Sequence, residues 1–149
     1  MVWVAAARLR TLPLSVAGIV VGNALAIGND GFCPYVFAGT LLTAVVFQIL
    51  SNFANDYGDG LKGTDNHERI GPKRVLQQNL LSVKTLFKGI VITAVIGFLL
   101  AAGTIAIAFE MGELKSVLVF LGLAVVAILA AYKYTAGKGA YGYYALGDV

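Results

Sequence analysis

The sequence predicts an all-α membrane protein, a polytopic bundle of about four transmembrane helices. Hydrophobic residues make up 58% of the 149 residues and charged residues only 13%, whereas about a quarter of a soluble domain is charged. The hydrophobic residues form four long runs, and none alternates with the period of two that is typical of a membrane β-barrel. Because backbone groups in lipid must be hydrogen-bonded within the protein, the runs are predicted to be helices.

The four runs differ in how well their lengths fit a bilayer. A helix rises about 1.5 Å per residue and the hydrocarbon layer is about 30 Å thick, so a span needs about 17 to 25 residues. The first and last runs are short, and we expect each to extend by a turn into its flanks. No convincing cleavage site follows the first run, which we therefore expect to be a retained helix. The runs cover residues 12–27, 35–52, 86–109 and 117–132.

The basic residues predict the orientation of the spans. Ten of the eleven lysines and arginines precede the first run, lie between the second run and the start of the third, which includes Lys88, or follow the fourth, and Lys115 alone lies on the other side. Cytoplasmic loops of membrane proteins carry such an excess of Lys and Arg. We therefore expect a multi-pass protein of the cell membrane whose N-terminus and polar loop are cytoplasmic. The net charge of +3 then reflects topology, and nucleic-acid binding, which needs a basic soluble face, is not predicted.

Polar side chains are concentrated at the end of the second run. Gln48, Asn52, Asn55 and Asp59 recur at spacings of four, three and four, which stacks them on one helical face. Polar groups at membrane depth are expected to face a bundle interior or a watery cavity. For Gln48 and Asn52, hydrogen bonding between helices is the open alternative to a cavity lining. The following segment, residues 56–82, is too polar to span and too long for a plain connection, so we predict a functional loop.

The carboxylates of Asp56 and Asp59 are predicted to hold a cation. Two carboxylates three positions apart on a helix repel each other unless a cation lies between them, and hard oxygen ligands suit Mg²⁺. Mg²⁺ usually binds one or two carboxylates plus substrate phosphates, which predicts a phosphate-bearing ligand. One Cys and one His offer no zinc spacing. Four basic residues follow the carboxylates and either bind phosphate or belong to a solvated loop: Lys62, Arg69, Lys73 and Arg74.

Three stretches of the sequence resemble a known family. Residues 55–74, "NDYGDGLKGTDNHERIGPKR", are similar to the first Asp-rich motif of the UbiA-type intramembrane prenyltransferases. The KGTD and GPKR parts resemble most closely the branch that prenylates 1,4-dihydroxy-2-naphthoate. "ARLRTLPLSVAGIVVGNALA" resembles the first helix of that branch, and "YTAGKGAYGYYALGD" resembles its junction between the fourth and fifth helices. The three matches occur in the family's order and are distributed from residue 7 to residue 148.

The resemblance implies a nine-helix bundle, of which residues 1–149 would be the N-terminal part. It implies Mg²⁺-dependent transfer of a polyprenyl group from polyprenyl diphosphate to 1,4-dihydroxy-2-naphthoate, with loss of CO₂, to give demethylmenaquinone in menaquinone biosynthesis. Asn55, Asp56 and Asp59 would hold the metal, and the two aspartates would be catalytic. The diphosphate would contact Lys62, Arg69, Lys73 and Arg74.

A further set of residues is predicted to line the substrate cavity. Tyrosines near the C-terminus would face the cationic prenyl group through their rings, or would form an aromatic belt at the membrane interface. Gly63 stands where many relatives carry a third aspartate, and Asp65 is expected to compensate for it. The cavity candidates are Asn23, Gln48, Asn52, Asp65, Tyr141 and Tyr143.

Two alternatives to this interpretation remain open. Relatives prenylate other aromatic acceptors, among them 4-hydroxybenzoate and homogentisate. A non-catalytic, transporter-like fragment would also carry a polar stripe, but it predicts ionisable residues deep in several spans, and the first, third and fourth runs have almost none. The second Asp-rich motif of the family is absent from the sequence, so we expect this chain alone to be inactive.

Overall fold

The computed structural model describes residues 2–29, 31–63, 72–109 and 113–144. These residues form helices, turns and short connections without any β-strand, which confirms the predicted all-α class. The helices are α1 (Val2–Ala7), α2 (Leu12–Ile27), α3 (Pro34–Lys62), α4 (Val83–Ala108) and α5 (Leu114–Thr135), and 3₁₀ turns occupy Leu9–Thr11 and Tyr141–Tyr144.

Four helical segments within the described ranges are long and apolar enough to cross a membrane. The first combines α1 and α2, and the other three are α3, α4 and α5. The four predicted spans and the multi-pass membrane character of the chain are thereby confirmed. Large apolar side chains such as Leu14, Leu99 and Leu129 are exposed on the outer faces of α2, α4 and α5, where lipid would cover them.

Helix α3 extends ten residues beyond the end predicted for the second run. The expectation that the loop begins at Asp56 was therefore wrong, because residues 56–62 continue the helix. The helix ends at Lys62, and the next residue, Gly63, adopts a left-handed conformation with φ 69° and donates its N–H to the carbonyl of Asp59. Helix α4 likewise begins earlier than predicted, at Val83, because the hydroxyl of Ser82 accepts the N–H of Thr85 and caps it.

The buried core surrounds the last turns of α3, which pack against α1, α4 and α5. Trp3 of α1 stacks at a tilt on Phe53 of α3, with ring centroids 5.5 Å apart. The same indole lies against Gly89 of α4, where an added Cβ would be 2.6 Å from the ring. The core consists of Ala6, Ala7, Leu50, Phe53, Ala54, Val75, Leu86 and Ile90. The polar end of α3 is therefore held by apolar packing on several sides.

Candidate functional site

Asp56 and Asp59 lie one helical turn apart at the polar end of α3. Asp56 is 1% exposed, whereas Asp59 is half-buried. A buried carboxylate costs several kcal/mol unless it is paired and hydrogen-bonded. The surroundings of Asp56 must therefore supply positive charge.

Arg74 supplies part of this charge from the segment that returns to α3. Its Nη1 atom lies 3.5 Å from Oδ1 of Asp56 and forms an ion pair with Oδ2 of Asp59. One guanidinium nitrogen therefore lies at both carboxylates, and the two side chains converge on one position. The neighbouring Val75 is buried in the core and anchors this segment next to α3.

Arg8 supplies the rest of the charge on Asp56, from a break in the first span. Its backbone has φ 49° and ψ 61°, in the left-handed region that non-glycine residues rarely adopt. The break separates α1 from α2, and the guanidinium of Arg8 donates to Oδ1 of Asp56. Sequence reasoning missed this role, because Arg8 served there only to predict topology. The available signal was a charged residue four positions before the first apolar run.

A cavity of about 520 Å³ opens beside this pair. Four cationic side chains and one carboxylate contribute to its wall, together with apolar groups from α1 and the segment before α4. A space with this excess of positive charge suits an anion with several oxygens, which arginine can bind through two parallel hydrogen bonds. The polar lining consists of Arg8, Arg10, Asp56, Lys73 and Arg74.

Tyr143 and Lys62 complete the other side of the acidic pair. The hydroxyl of Tyr143 donates to Oδ1 of Asp59, and the ammonium of Lys62 lies 3.8 Å from the centroid of the Tyr143 ring. This is a cation–π contact of the usual range. The structure thus brings Tyr143 to the site as a hydrogen-bond donor, and it places Lys62 on that ring.

The other predicted polar residues have different surroundings. Gln48 and Asn52 hydrogen-bond the first span: the Asn52 amide donates to the carbonyl of Ala7 and to the Thr11 hydroxyl, both within 2.9 Å, and the Gln48 amide accepts from Ser15. The alternative of helix-to-helix hydrogen bonding is therefore the one that the structure shows. Asn52 also satisfies a carbonyl that the break at Arg8 exposes.

Two candidates lie away from the carboxylates and two lie outside the described residues. Asn23 donates to the carbonyl of Ile19 on its own helix. The Tyr141 hydroxyl donates to the carbonyl of Ala130, and its ring packs edge-on against Tyr134. The predicted residues Asp65 and Arg69 belong to the segment 64–71, outside the ranges that the structure describes.

The donor set of the site fits Mg²⁺. Among the described residues no cluster of three or more His, Cys, Asp or Glu side chains occurs. Mg²⁺ usually binds one or two protein carboxylates and completes its coordination shell with water and phosphate. Asp56 and Asp59, which share one cationic nitrogen of Arg74, could supply these carboxylates. Asn55 is the third predicted ligand, and its Oδ1 atom lies 3.2 Å from the hydroxyl oxygen of Thr135.

The chain is similar to curated proteins along almost its whole length. It is 44% identical over 149 residues to the 1,4-dihydroxy-2-naphthoate octaprenyltransferase of Haemophilus influenzae. It is 42% identical to the protein of the same name from Escherichia coli and 31% identical to that from Mycobacterium tuberculosis, each over 147 residues.

These matches cover 99% of this chain but only 47 or 48% of each relative, so the chain spans about half the length of the curated relatives it matches. No family model matches the chain, and no solved structure does. The resemblance predicted from three stretches is thereby confirmed along nearly the entire chain, which is homologous to about half of a 1,4-dihydroxy-2-naphthoate octaprenyltransferase.

Proposed function

We propose that this chain forms part of a Mg²⁺-dependent enzyme that transfers a polyprenyl group from polyprenyl diphosphate to 1,4-dihydroxy-2-naphthoate. The naphthoate would lose CO₂ and become demethylmenaquinone. The observation that carries the proposal is the convergence of Asp56, Asp59 and Arg74 beside a cationic cavity at the end of a membrane helix. The names of the relatives support the naphthoate as acceptor and a long prenyl chain as donor.

In the proposed site, the acidic residues would bind the metal and the basic residues would bind the diphosphate. Asp56 and Asp59 would hold Mg²⁺ through their carboxylate oxygens, and Asn55 is the proposed third ligand. When bound, the metal neutralises charge on the departing diphosphate. Arg8 and Arg74 line the same cavity and can each hold phosphate oxygens in a preorganised position. The remaining cations, among them Lys62, Lys73 and Arg69, would bind the outer phosphate.

The apolar helices fit the other half of the donor. A polyprenyl chain is insoluble in water, and α2, α4 and α5 expose apolar faces that would contact the lipid in which such a chain dissolves. We propose that the cavity opens to the cytoplasmic side of the cell membrane, because the basic residues are concentrated at that end of the spans.

The first experiment measures prenyl transfer by the full-length protein in membranes, with polyprenyl diphosphate and the naphthoate as substrates. Asp59→Asn removes one proposed metal ligand, and we expect turnover to fall by more than about 100-fold, beyond the loss typical of perturbing groups that only orient a ligand. Glu113→Gln is the matched control, because Glu113 is exposed at the other end of the spans and loses the same charge. Unchanged turnover in Asp59→Asn would contradict the proposal.

The second experiment tests the metal and the acceptor. Chelation should abolish turnover and added Mg²⁺ should restore it. When the three acceptors are offered together, the naphthoate should be prenylated with loss of CO₂, which the mass of the product would show. 4-Hydroxybenzoate and homogentisate should not react. A preference for either of these acceptors would overturn the assignment of the substrate. We expect residues 1–149 expressed alone to enter membranes without supporting turnover.

A further inference from the structure

The end of α5 contacts α3 immediately before the acidic pair. Thr135, the last residue of α5, is only 6% exposed. Its hydroxyl oxygen lies 3.0 Å from the carbonyl oxygen of Ala54 and 3.2 Å from Oδ1 of Asn55. One hydroxyl from a distant part of the chain is therefore within hydrogen-bonding distance of a proposed metal ligand and of the backbone next to it.

The position of this hydroxyl on α3 is fixed by backbone packing as well. A Cβ added at Gly58 would lie 2.5 Å from both the carbonyl carbon and the carbonyl oxygen of Thr135, closer than real side chains approach. Glycine at this position lets the end of α5 lie directly on α3. The close approach of the two backbones therefore holds the Thr135 hydroxyl against the turn of α3 that carries Asn55.

The hydrogen-bonding capacity of the two groups decides what the contact does. A threonine hydroxyl has one proton and two lone pairs, whereas the Asn55 amide has a donor edge and an acceptor edge. As the amide is placed, the Thr135 hydroxyl faces two acceptors, the Ala54 carbonyl and Oδ1 of Asn55, and its single proton cannot serve both. A half-turn of the amide about its Cβ–Cγ bond exchanges the oxygen and the nitrogen, so that the hydroxyl donates to the Ala54 carbonyl and the amide N–H donates to the Thr135 oxygen. This turns the Oδ1 atom of Asn55 away from α5 and frees it to bind a ligand.

We propose that Thr135 is a positioning residue whose hydroxyl holds one edge of the Asn55 amide and thereby presents the other edge to the metal and diphosphate. Asn55 and Asp59 are four residues apart, so their side chains lie on the same face of α3. This inference rests on the proposed function. Helix α5 would then help to fix the geometry of the metal site, although neither aspartate belongs to this helix.

The experiment uses the purified full-length protein and a readout other than turnover. The probe is farnesyl thiodiphosphate, an analogue with sulfur in the scissile bridge, held at saturation while Mg²⁺ is titrated. Binding is followed by the rise in the thermal unfolding midpoint, because a ligand that binds only the folded state stabilises it. The midpoint without ligands reports on folding itself.

Thr135→Val keeps the shape and removes the hydroxyl, and we expect the half-saturating Mg²⁺ concentration to rise about 10- to 100-fold, the effect typical of losing a group that orients a metal ligand. Thr135→Ser keeps the hydroxyl and should bind Mg²⁺ as the unsubstituted protein does. Thr104→Val is the matched control, because Thr104 is also buried and its hydroxyl donates to the Leu100 carbonyl of its own helix. Thr135→Ala replaces Thr135→Val if the latter is not recovered folded.

Two results would overturn the inference while leaving the proposed function intact. One is Mg²⁺ binding by Thr135→Val that equals that of Thr104→Val, and the other is a defect in Thr135→Ser as large as in Thr135→Val. If the unsubstituted protein shows no Mg²⁺-dependent stabilisation, the proposed function itself fails, and the inference fails with it.

Discussion

Asp56 is a buried carboxylate that two arginines from different parts of the chain neutralise. Arg8 comes from the break in the first span, and Arg74 comes from the segment before α4. Both guanidinium groups also line the cationic cavity. The same side chains therefore stabilise the folded chain and are available to an anionic substrate.

Replacing Arg8 should destabilise the protein more than replacing Arg10. In Arg8→Gln, the buried Asp56 loses its direct partner, and we expect the free energy of unfolding to fall by about 1–3 kcal/mol, the usual cost of a buried group left unsatisfied. Arg74 remains nearby and limits the loss. Thermal or denaturant unfolding in detergent measures the change.

Arg10→Gln is the control for this comparison. Arg10 is exposed and carries the same charge, so its replacement should change the free energy of unfolding by no more than about 0.5 kcal/mol. Equal effects of the two substitutions would show that the ion pair between Arg8 and Asp56 contributes nothing specific to stability.

At the residue scale, local chemistry was predictable and long-range pairing was not. The spacing of Asp56 and Asp59 predicted a metal cation between them, and this stays a prediction. The structure adds that Arg74, which was expected to bind the diphosphate, lies at both carboxylates. The role of Arg8 depends on a left-handed backbone, for which glycine and not arginine is the usual sequence signal. The contact of Tyr143 with Asp59 joins residues 84 positions apart, and no local pattern indicates it.

At the scale of elements, the junction of α3 and α5 determines the geometry of the site. Gly58→Ala would force the end of α5 away from α3, because the added Cβ lies 2.5 Å from backbone atoms of Thr135. We expect a loss of about 1–3 kcal/mol in the free energy of unfolding, as for overpacked cores. Mg²⁺ binding should weaken at the same time, since Thr135 would leave Asn55.

Gly103→Ala is the matched substitution on α4. A Cβ at Gly103 meets nothing within 4 Å, and replacing a helical glycine by alanine is favourable by about 0.5–1 kcal/mol. This variant should therefore be as stable as the unsubstituted protein or more so. A Gly58→Ala protein that unfolds at the same temperature as Gly103→Ala would contradict the close packing of α3 and α5.

The existence of the helices followed from hydrophobicity, and their ends did not. The four apolar runs predicted the spans, because lipid requires helices of a known length. The composition of residues 56–62 alone indicates a loop, but these residues continue α3. They make tertiary contacts that composition does not reveal, among them the contact between Gly58 and Thr135. Gln48 and Asn52 illustrate the same limit, since their pattern predicted a face but not the partner on that face.

For the whole molecule, the lone cysteine offers a test of the proposed orientation. Cys33 precedes α3, at the opposite end of that helix from the carboxylates. In the full-length protein with every cysteine other than Cys33 replaced, a membrane-impermeant maleimide added to intact cells should label Cys33. With Cys33→Ser and Lys138→Cys combined, labelling should require permeabilised cells, because Lys138 lies on the cytoplasmic side in the proposed topology. The reverse pattern would overturn the orientation.

The break at Arg8 also affects how the protein is made. Arg8 precedes Asp56 by 48 residues, so the first span is synthesised before its carboxylate partner. An arginine at the centre of a membrane helix costs about 2.5–3.5 kcal/mol on insertion scales, but one near the end of a helix can reach the interface. The first span can therefore enter the bilayer with its charge in the headgroup region and dock when α3 arrives. The order of insertion thus determines when the anion cavity is assembled, and the cavity cannot exist before the second span is in place.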